Sequence, residues 1–483
     1  MSGRTSIVWF RRDLRLHDHP ALAGALEQGD RVVPLYVLDP TLLNGRFASA
    51  NRTWFLLESI RALRASLRAI GSDLVVRTGD PRVVVPSIAR EIVASDVFVS
   101  RDHAPYGRAR DLVVARALEA AGVAWHARRG LLVHEPDELA TSDGRPFSVY
   151  SPFRRAWEGI PRRVSVAAPA VMPPTHEGIL SEGGGLAAGA IPSLADLLPD
   201  GVERPTALPD LLPDPGERAA RDRLDRWLDR PVDRYAESRD RLDMEGGTSR
   251  LSADLRFGLL SPLEVVERVD GPGDGRRVFL GEIVWREFYA HVLFHRPRVL
   301  TESYRQEFDD LPWAADGASA DAWREGRTGY PVVDAAMRQL ANSGWMHNRA
   351  RMIAASFLTK DLLADWRVGE SHFMQHLVDG DVASNNGGWQ WSASTGTDPQ
   401  PYFRIFNPVS QGRRHDPEGA YVRRWVPELA RVPTARIHAP WELSAAEQEA
   451  AGCRVGLDYP APIVDHAEAR SRALAIYRAA RRT

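Results

Sequence analysis

The sequence predicts a two-part protein: a Rossmann-like α/β half with a parallel five-stranded sheet, followed by an all-α half. Three observations carry this. Short β-branched runs, Ile7 to Phe10, Val32 to Leu38, Leu74 to Arg77 and Val97 to Val99, alternate with helical patterns such as ANRTWFLLESIRALRASLRAI. Strand-helix alternation of this kind builds a parallel sheet covered on both faces. Residues 161 to 216 are rich in Pro, Gly and Ala without sustained period, which is the texture of a linker. After residue 217 helical periodicity runs almost to the end, clearest in ERAARDRLDRWLDR, SPLEVVERV, GEIVWREFYAHVLF and WMHNRARMIAASFLTKDLLADW. The expected divisions are an α/β domain over 1–130, an interdomain connection over 131–216 and a helical domain over 217–483. No internal repeat is visible.

A chain of 483 residues exceeds what one hydrophobic core usually serves, and 44% apolar residues fill two. The 62 basic and 64 acidic residues leave a formal charge of -2, so any nucleic-acid contact must come from a local patch. Lys360 is the sole lysine. It stands in FLTKDLL with no Gly-rich loop before it, which excludes a Walker-type phosphate loop. The first strand is followed by FRRDLRLHD, not G-x-G-x-x-G, which argues against a nicotinamide-binding half. Cys453 is the one cysteine, so no disulfide framework, thiolate zinc site or protein-ligated iron-sulfur cluster is expected. No apolar signal region or membrane-spanning run is found, and the expectation is a soluble cytoplasmic protein.

Several constellations point to chemistry. In GEIVWREFYAHVLF, Glu282, Trp285, Arg286 and Tyr289 fall at i, i+3, i+4 and i+7, and Ile283, Val284, Phe288 and Val292 form an apolar face behind them. A second helix repeats this, with Asn348, Arg351 and Met352 behind the ladder Ile353, Phe357, Leu358 and Leu362. GGTSRLS, residues 246 to 252, reads as a helix start with Thr248, Ser249 and Ser252 as cap-type groups, a setting suited either to plain capping or to a pyrophosphate. DGDVASNNGGWQWSASTG, residues 379 to 396, gathers Asp379, Asp381, Asn385, Asn386, Trp389 and Trp391, and a large flat ligand with polar edges explains them better than packing does.

Other patterns carry less. His17, Asp18 and His19 are consecutive and rarely would converge on one ion, and HVLFH (His291, His295) lacks a zincin glutamate, so no metal is expected. Gly183, Gly185 and Ala188 spell a relaxed dinucleotide pattern with no strand before it. No G-x-S-x-G elbow or cysteine-nucleophile setting is visible.

TSRLS, WREFY, GYPVVDAAMRQL, GWMHNRARM, DGDVASNNGGWQWSASTGTD and YFRIFNP, in this order and spacing, closely resemble the DNA photolyase and cryptochrome family. The likeness runs from VWFRRDLRLHDHPAL to GLDYPAPIVDHAEAR, and is strongest to class I cyclobutane pyrimidine dimer photolyases. The resemblance implies FAD folded within the helical domain. Tyr235 and the turn Thr248, Ser249, Arg250, Leu251 and Ser252 match positions at its phosphates and ribityl chain. Arg286 is carried with the cofactor set, Asn348, Arg351, Asp379 and Asp381 match positions around the flavin ring, and Asn385 matches the residue facing flavin N5. Trp389, Trp366 and Trp313 match an electron-carrying tryptophan chain. Trp285 and Trp391 match the walls of the lesion pocket with Met352 nearby, and Glu282 matches the acid at the thymine edge. Asn348 and Gln411 match DNA-contacting positions, and Arg286, Arg349, Arg404, Arg413, Arg414, Arg423 and Arg424 are candidates for phosphate contact.

The activity so implied is light-driven repair of cyclobutane pyrimidine dimers in UV-damaged DNA by a monomeric carbon-carbon lyase. A cryptochrome-like light receptor and 6-4 photoproduct repair remain alternatives, although the latter calls for a His pair around the Asn348 to Met352 turn. For the antenna, Tyr106 and Gly107 replace the Asn-Glu pair of folate-using relatives, which disfavours methenyltetrahydrofolate. HAPYGRARD looks more like relatives that bind 8-hydroxy-5-deazaflavin, with FMN or no antenna as the other possibilities.

Overall fold

The computed structural model describes residues 3–173, 186–198, 212–315, 317–399 and 401–480. Much of the 161–216 linker therefore lies outside the described residues, as do Gly183 and Gly185. The chain forms two compact units, one of Met1–Thr206, Pro213–Asp233 and Ser249–Pro297, the other of Ala207–Leu212, Arg234–Thr248 and Arg298–Thr483.

The first unit is built on a five-stranded parallel sheet: β1 (Thr5–Phe10), β2 (Arg31–Leu38), β3 (Val75–Thr78), β4 (Asp96–Ser100) and β5 (Ala124–Arg128), in the order β3-β2-β1-β4-β5. In register, Ile7 stands between Val33 of β2 and Val97 of β4. Every residue of β1 is buried, because helices such as Pro20–Gln28 and Pro105–Ala120 cover the faces and β-branched side chains fill the space between. β5 had no counterpart among the sequence-read strands. AWHAR is a half-exposed edge strand without a β-branched run, so it lacks the signal that marks the other four.

The helices from residue 217 onward divide between the two units. Helices Glu217–Asp229, Pro262–Val269 and Asp274–His295 belong to the sheet-bearing unit. Polar contacts explain this. Buried Glu287 accepts from the backbone N-H groups of Val133 (2.5 Å) and His134 (3.3 Å) and from Trp157 Nε1 (2.6 Å). On the same helix, His291 Nε2 accepts from Phe147 N (3.0 Å), and its Nδ1 lies 3.0 Å from the Pro136 carbonyl.

The second unit is helical. Pro331–Ser343, Asn348–Ser356, Trp366–His376 and Val382–Ala393 enclose a core of Trp323, Met337, Leu340, Ile353, Phe357, Trp366, Phe373 and Trp389. Between the second and third of these helices, Phe357–Asp361 forms a fully buried π-helical turn.

Candidate functional site

In the helical unit the loop from Leu377 to Asp381 and the helix after it assemble one constellation. Arg351 donates from Nη2 to Asp379 Oδ2 (2.7 Å) and from Nε to the Met346 carbonyl (2.8 Å). Asp379 is buried, and its other oxygen, Oδ1, has no hydrogen-bond partner among the described residues. Asp381 caps the Val382–Ala393 helix, accepting from Ala383 N and Ser384 N, both at 3.1 Å. Asn385, half-buried, donates Nδ2 to the Glu370 carbonyl (3.0 Å), which fixes its amide plane.

Packing accounts for more of this segment than the sequence suggests. Asn386 donates to the Val299 carbonyl (3.0 Å) and to Glu370 Oε1 (3.2 Å). Gln390 donates to the carbonyls of Val299 (2.9 Å) and Glu302 (3.2 Å). Both are buried residues satisfied by the protein itself. Across the packed helices, His347 Nδ1 caps Asn348–Ser356 by accepting from Arg349 N (3.1 Å), while Asn348 and Met352, one turn apart, meet at 3.8 Å. Arg349 is paired with Asp240 at 2.7 Å. Despite burial, this hydrogen bond and charge hold the Asp240 carboxyl below its ordinary value.

Trp366 and Trp389 are buried, and neither indole N-H has a hydrogen-bond partner among the described residues. Trp313 is partly buried against the same core and against the Phe308, Leu311 and Tyr477 cluster. Gly369, one turn beyond Trp366, makes room for Trp389: a Cβ there would lie 2.0 Å from Trp389 Cη2. Trp323 was not singled out from sequence, and Lys360 was read there only as excluding a phosphate loop. Trp323 meets Trp389 edge-on at 6.0 Å, and buried Lys360 donates to the Ala393 carbonyl and Ser394 Oγ, both at 3.0 Å, at the end of the Trp389 helix.

In the sheet-bearing unit, Glu282, Trp285, Arg286 and Tyr289 are all half-buried on one face of Asp274–His295, and Ile283, Val284, Phe288 and Val292 are buried behind them. The Arg286 guanidinium donates to the carbonyls of Leu131 (3.2 Å) and Leu255 (3.4 Å). The expected cap groups of the GGTSRLS turn do not cap. The helix is only Ser252–Phe257, its N-cap Leu251 has no capping side chain, and Ser249 Oγ accepts from Leu251 N (3.4 Å) one residue short of the helix, where Arg250 takes a left-handed φ of 55°. His17, Asp18 and His19 serve separate partners: the His17 backbone donates to Glu217, Asp18 holds Arg163 and Ser261, and His19 caps Pro20–Gln28 while facing Asp13.

The Arg candidates differ. Arg423 donates to the carbonyls of Ala430 (3.2 Å) and Val432 (2.9 Å), so its role is to tie the Ala420–Trp425 helix to the following loop. Arg404, Arg413, Arg414 and Arg424 are exposed apart from Arg424's intermediate neighbours, with Arg413 only 3.9 Å from Glu442 and Arg424 3.8 Å from Glu245. Gln411 has its side-chain oxygen buried without a donor. At the β1/β4 switch point, where an α/β sheet offers its carboxyl-end crevice, Arg11 pairs with Asp111 (2.5 Å) and Arg110 with Asp102 (3.4 Å). Tyr106 donates to Asp39, and Gly107 is required by Asp102, whose Oδ2 would lie 2.1 Å from an added Cβ. Internal packing thus accounts for both residues that the sequence reading tied to an antenna.

A doubly wound parallel sheet and a helical unit with an amide- and indole-lined constellation define a two-unit flavoprotein architecture. Residues 6–174 match the DNA photolyase family model, and residues 279–479 match the model for the FAD binding domain of DNA photolyase. The chain belongs to the DNA photolyase family. It is 40% identical to the deoxyribodipyrimidine photo-lyase of Synechococcus sp. over 98% of this chain and 96% of that one. A bacterial class III photolyase from Agrobacterium tumefaciens matches with TM-score 0.92 and 40% identity, covering 100% of this chain and 99% of the other. A Synechocystis cryptochrome matches with TM-score 0.88 and 32% identity, covering 98% and 99%. The residues present fit FAD. Asp379 Oδ1 is a buried acceptor lacking the N-H that a flavin edge supplies, and Arg351 beside it is a cation suited to a reduced, anionic ring.

Proposed function

We propose that the protein repairs cyclobutane pyrimidine dimers in UV-damaged DNA in blue light, as a carbon-carbon lyase. The observation that carries this reading is its full-length likeness to a deoxyribodipyrimidine photo-lyase. Reduced FAD, when bound, would supply the light-excited electron that opens the cyclobutane ring and would take it back, so no net redox change would result. The chain's own residues do the rest. Asp379 accepts a ring N-H through Oδ1, Arg351 holds Asp379 and balances charge, and Asn385 presents a neutral amide whose orientation Glu370 fixes. Asn348 and Asp381 complete the ring's surroundings, while Tyr235 and the Thr248 to Ser252 turn hold the phosphates and ribityl chain. Trp313, Trp366 and Trp389 pass an electron inward when the cofactor is oxidised.

A dimer unstacks its duplex, so extruding it costs less than flipping a normal base. Trp285 and Trp391 are each assigned a flat face for the dimer, Met352 an apolar contact and Glu282 a bond to its polar edge, as the family resemblance implies. The candidates for phosphate contact are Arg349, Arg404, Arg413, Arg414 and Arg424, of which Arg404, Arg413, Arg414 and Arg424 are exposed, while Arg286 and Arg423 donate to the protein's own carbonyls. A second chromophore, 8-hydroxy-5-deazaflavin by the sequence reading, with FMN or none the alternatives, is read directly from the absorption spectrum of the purified protein. Among the described residues no helix is long and apolar enough to cross a membrane, and a cytoplasmic monomer is part of the same proposal. A light-receptor role is the second reading, favoured by the likeness to a cryptochrome.

The test is dark binding. A dimer-containing duplex should bind more tightly than the undamaged one, and Trp285→Ala should weaken that binding by ~1–3 kcal/mol, the cost of one lost base-aromatic stack. Equal affinity for damaged and undamaged DNA would contradict the repair reading.

A further inference from the structure

Trp285 is not alone on its face of the Asp274–His295 helix. Tyr150, the first residue of helix Tyr150–Gly159, lies flat against it, with ring centroids 3.8 Å apart and planes within 1° of parallel. The Tyr150 hydroxyl donates to the Gly281 carbonyl at 2.8 Å, one turn before Trp285 on the same helix. Tyr150 therefore grips this helix at two points, residues 281 and 285. Gly281 permits the grip, since a Cβ there would meet Arg154 Nη1 at 3.0 Å and the Tyr150 hydroxyl at 3.4 Å. Phe288 closes the arrangement from below, edge-on to both rings at 5.9 and 5.6 Å. Burial pushes the Tyr150 phenol up to about 12, and the nearby Glu282 charge adds to this, so the hydroxyl stays a donor at any working pH.

An indole has two faces, and stacking with a parallel ring engages one of them. We propose that Tyr150 is a positioning residue for the lesion: it covers one face of Trp285 and fixes the indole plane, so that the opposite face is presented to the extruded pyrimidine pair. This rests on reading Trp285 as a wall of the lesion pocket. Its consequence is that part of the discrimination between damaged and undamaged DNA resides in a residue that need not touch the substrate. The stack sets where Trp285 stands, and the hydroxyl anchor sets where the Glu282 turn stands relative to it.

The experiment is a double-mutant cycle on dark binding to a thymine-dimer duplex and its undamaged counterpart, using holoprotein with FAD content measured for every variant. Tyr150→Leu keeps apolar volume but removes the flat face. It should lower the damaged-to-undamaged preference by about two- to tenfold, the range expected for one aromatic pair. Tyr150→Phe keeps the stack and should retain most of the preference. In a Trp285→Ala background, Tyr150→Leu should change nothing further, because no indole remains to be positioned. An equal loss from Tyr150→Leu in both backgrounds would overturn the inference, as would full preference in Tyr150→Leu alone. If Trp285→Ala itself leaves the preference intact, the pocket assignment fails, which is a separate outcome from failure of Tyr150. A Tyr150→Leu protein that does not hold FAD leaves Tyr150→Phe and Tyr150→Trp to decide: both restore a flat face, and loss of preference in both would also overturn it.

Discussion

Gly369 shows how much the placing of Trp389 depends on an atom that is missing. With Trp389 Cη2 only 2.0 Å from where a Cβ would stand, Gly369→Ala must displace either the indole or the Trp366–His376 helix. Overpacking of this kind costs about 1–3 kcal/mol. The variant should lose that stability and should slow photoreduction of oxidised flavin, measured by the bleaching of its visible absorption under steady illumination. Unchanged stability and rate would mean that Trp389 is not held where the account needs it. Nothing in the sequence distinguishes this glycine from others, since the clash involves a residue twenty positions away. The polar residues of DGDVASNNGGWQWSASTG were legible as a group but not one by one. Asp379 and Asn385 fit the ligand reading, whereas Asp381 doubles as a helix cap and Asn386 and Gln390 bond the Val299 carbonyl. A sequence shows which groups are polar, not which backbone groups elsewhere await them.

Helices were easier to find than to assign. The pattern in GEIVWREFYAHVLF located both its faces, yet its unit was decided by Glu287 and His291, whose partners lie in the irregular segment from Val133 to Phe147. Such partners leave no periodic trace. The apolar ladder through Phe357 and Leu362 suggested one continuous helix, and the chain instead makes a π-turn that carries Lys360 beneath Ala393 and Ser394.

The cap of the Asn348–Ser356 helix brings a pH dependence. Burial pushes the His347 imidazole down to about 4 from its ordinary 6.5. The unfolded chain therefore takes up this proton first. The contribution is fully present above pH 6.5 and is lost as the pH falls towards 4. Protonation also removes the Nδ1 acceptor that caps the helix bearing Asn348, Arg351 and Met352. His347→Asn keeps a capping oxygen without titrating here, so it should match the parent near pH 8 and lose less stability than the parent between pH 6.5 and 4. His347→Ala should be less stable than the parent near pH 8 by about 1 kcal/mol, the usual worth of a cap, and, having no imidazole, should share the shallower acid loss of His347→Asn. Buried His103 and His291 and half-buried His372 are also pushed down and set a common acid background, so the difference between variants is the quantity that reports on His347. Identical acid profiles for parent and His347→Asn would contradict the assignment.

For the molecule as a whole, the alternation of β-branched runs and helices made the α/β half readable, because a sheet buried on both faces leaves little freedom in composition. The charge total of -2 was equally informative by what it withheld: recognition of a polyanion has to come from a few exposed guanidiniums. The 40% identity to a class III photolyase equals that to the Synechococcus photo-lyase, so overall identity does not sort the chain between subclasses.

Likeness to deoxyribodipyrimidine photo-lyases along the whole chain predicts that light drives bond cleavage on DNA. Pre-reduced holoprotein mixed anaerobically with a thymine-dimer oligonucleotide and exposed to blue light should restore intact thymines over many turnovers without consuming reductant. The dark control should restore none, and a 6-4 photoproduct oligonucleotide should stay damaged. Protein that carries FAD and absorbs blue light yet leaves every dimer unrepaired would contradict the account and favour a light receptor.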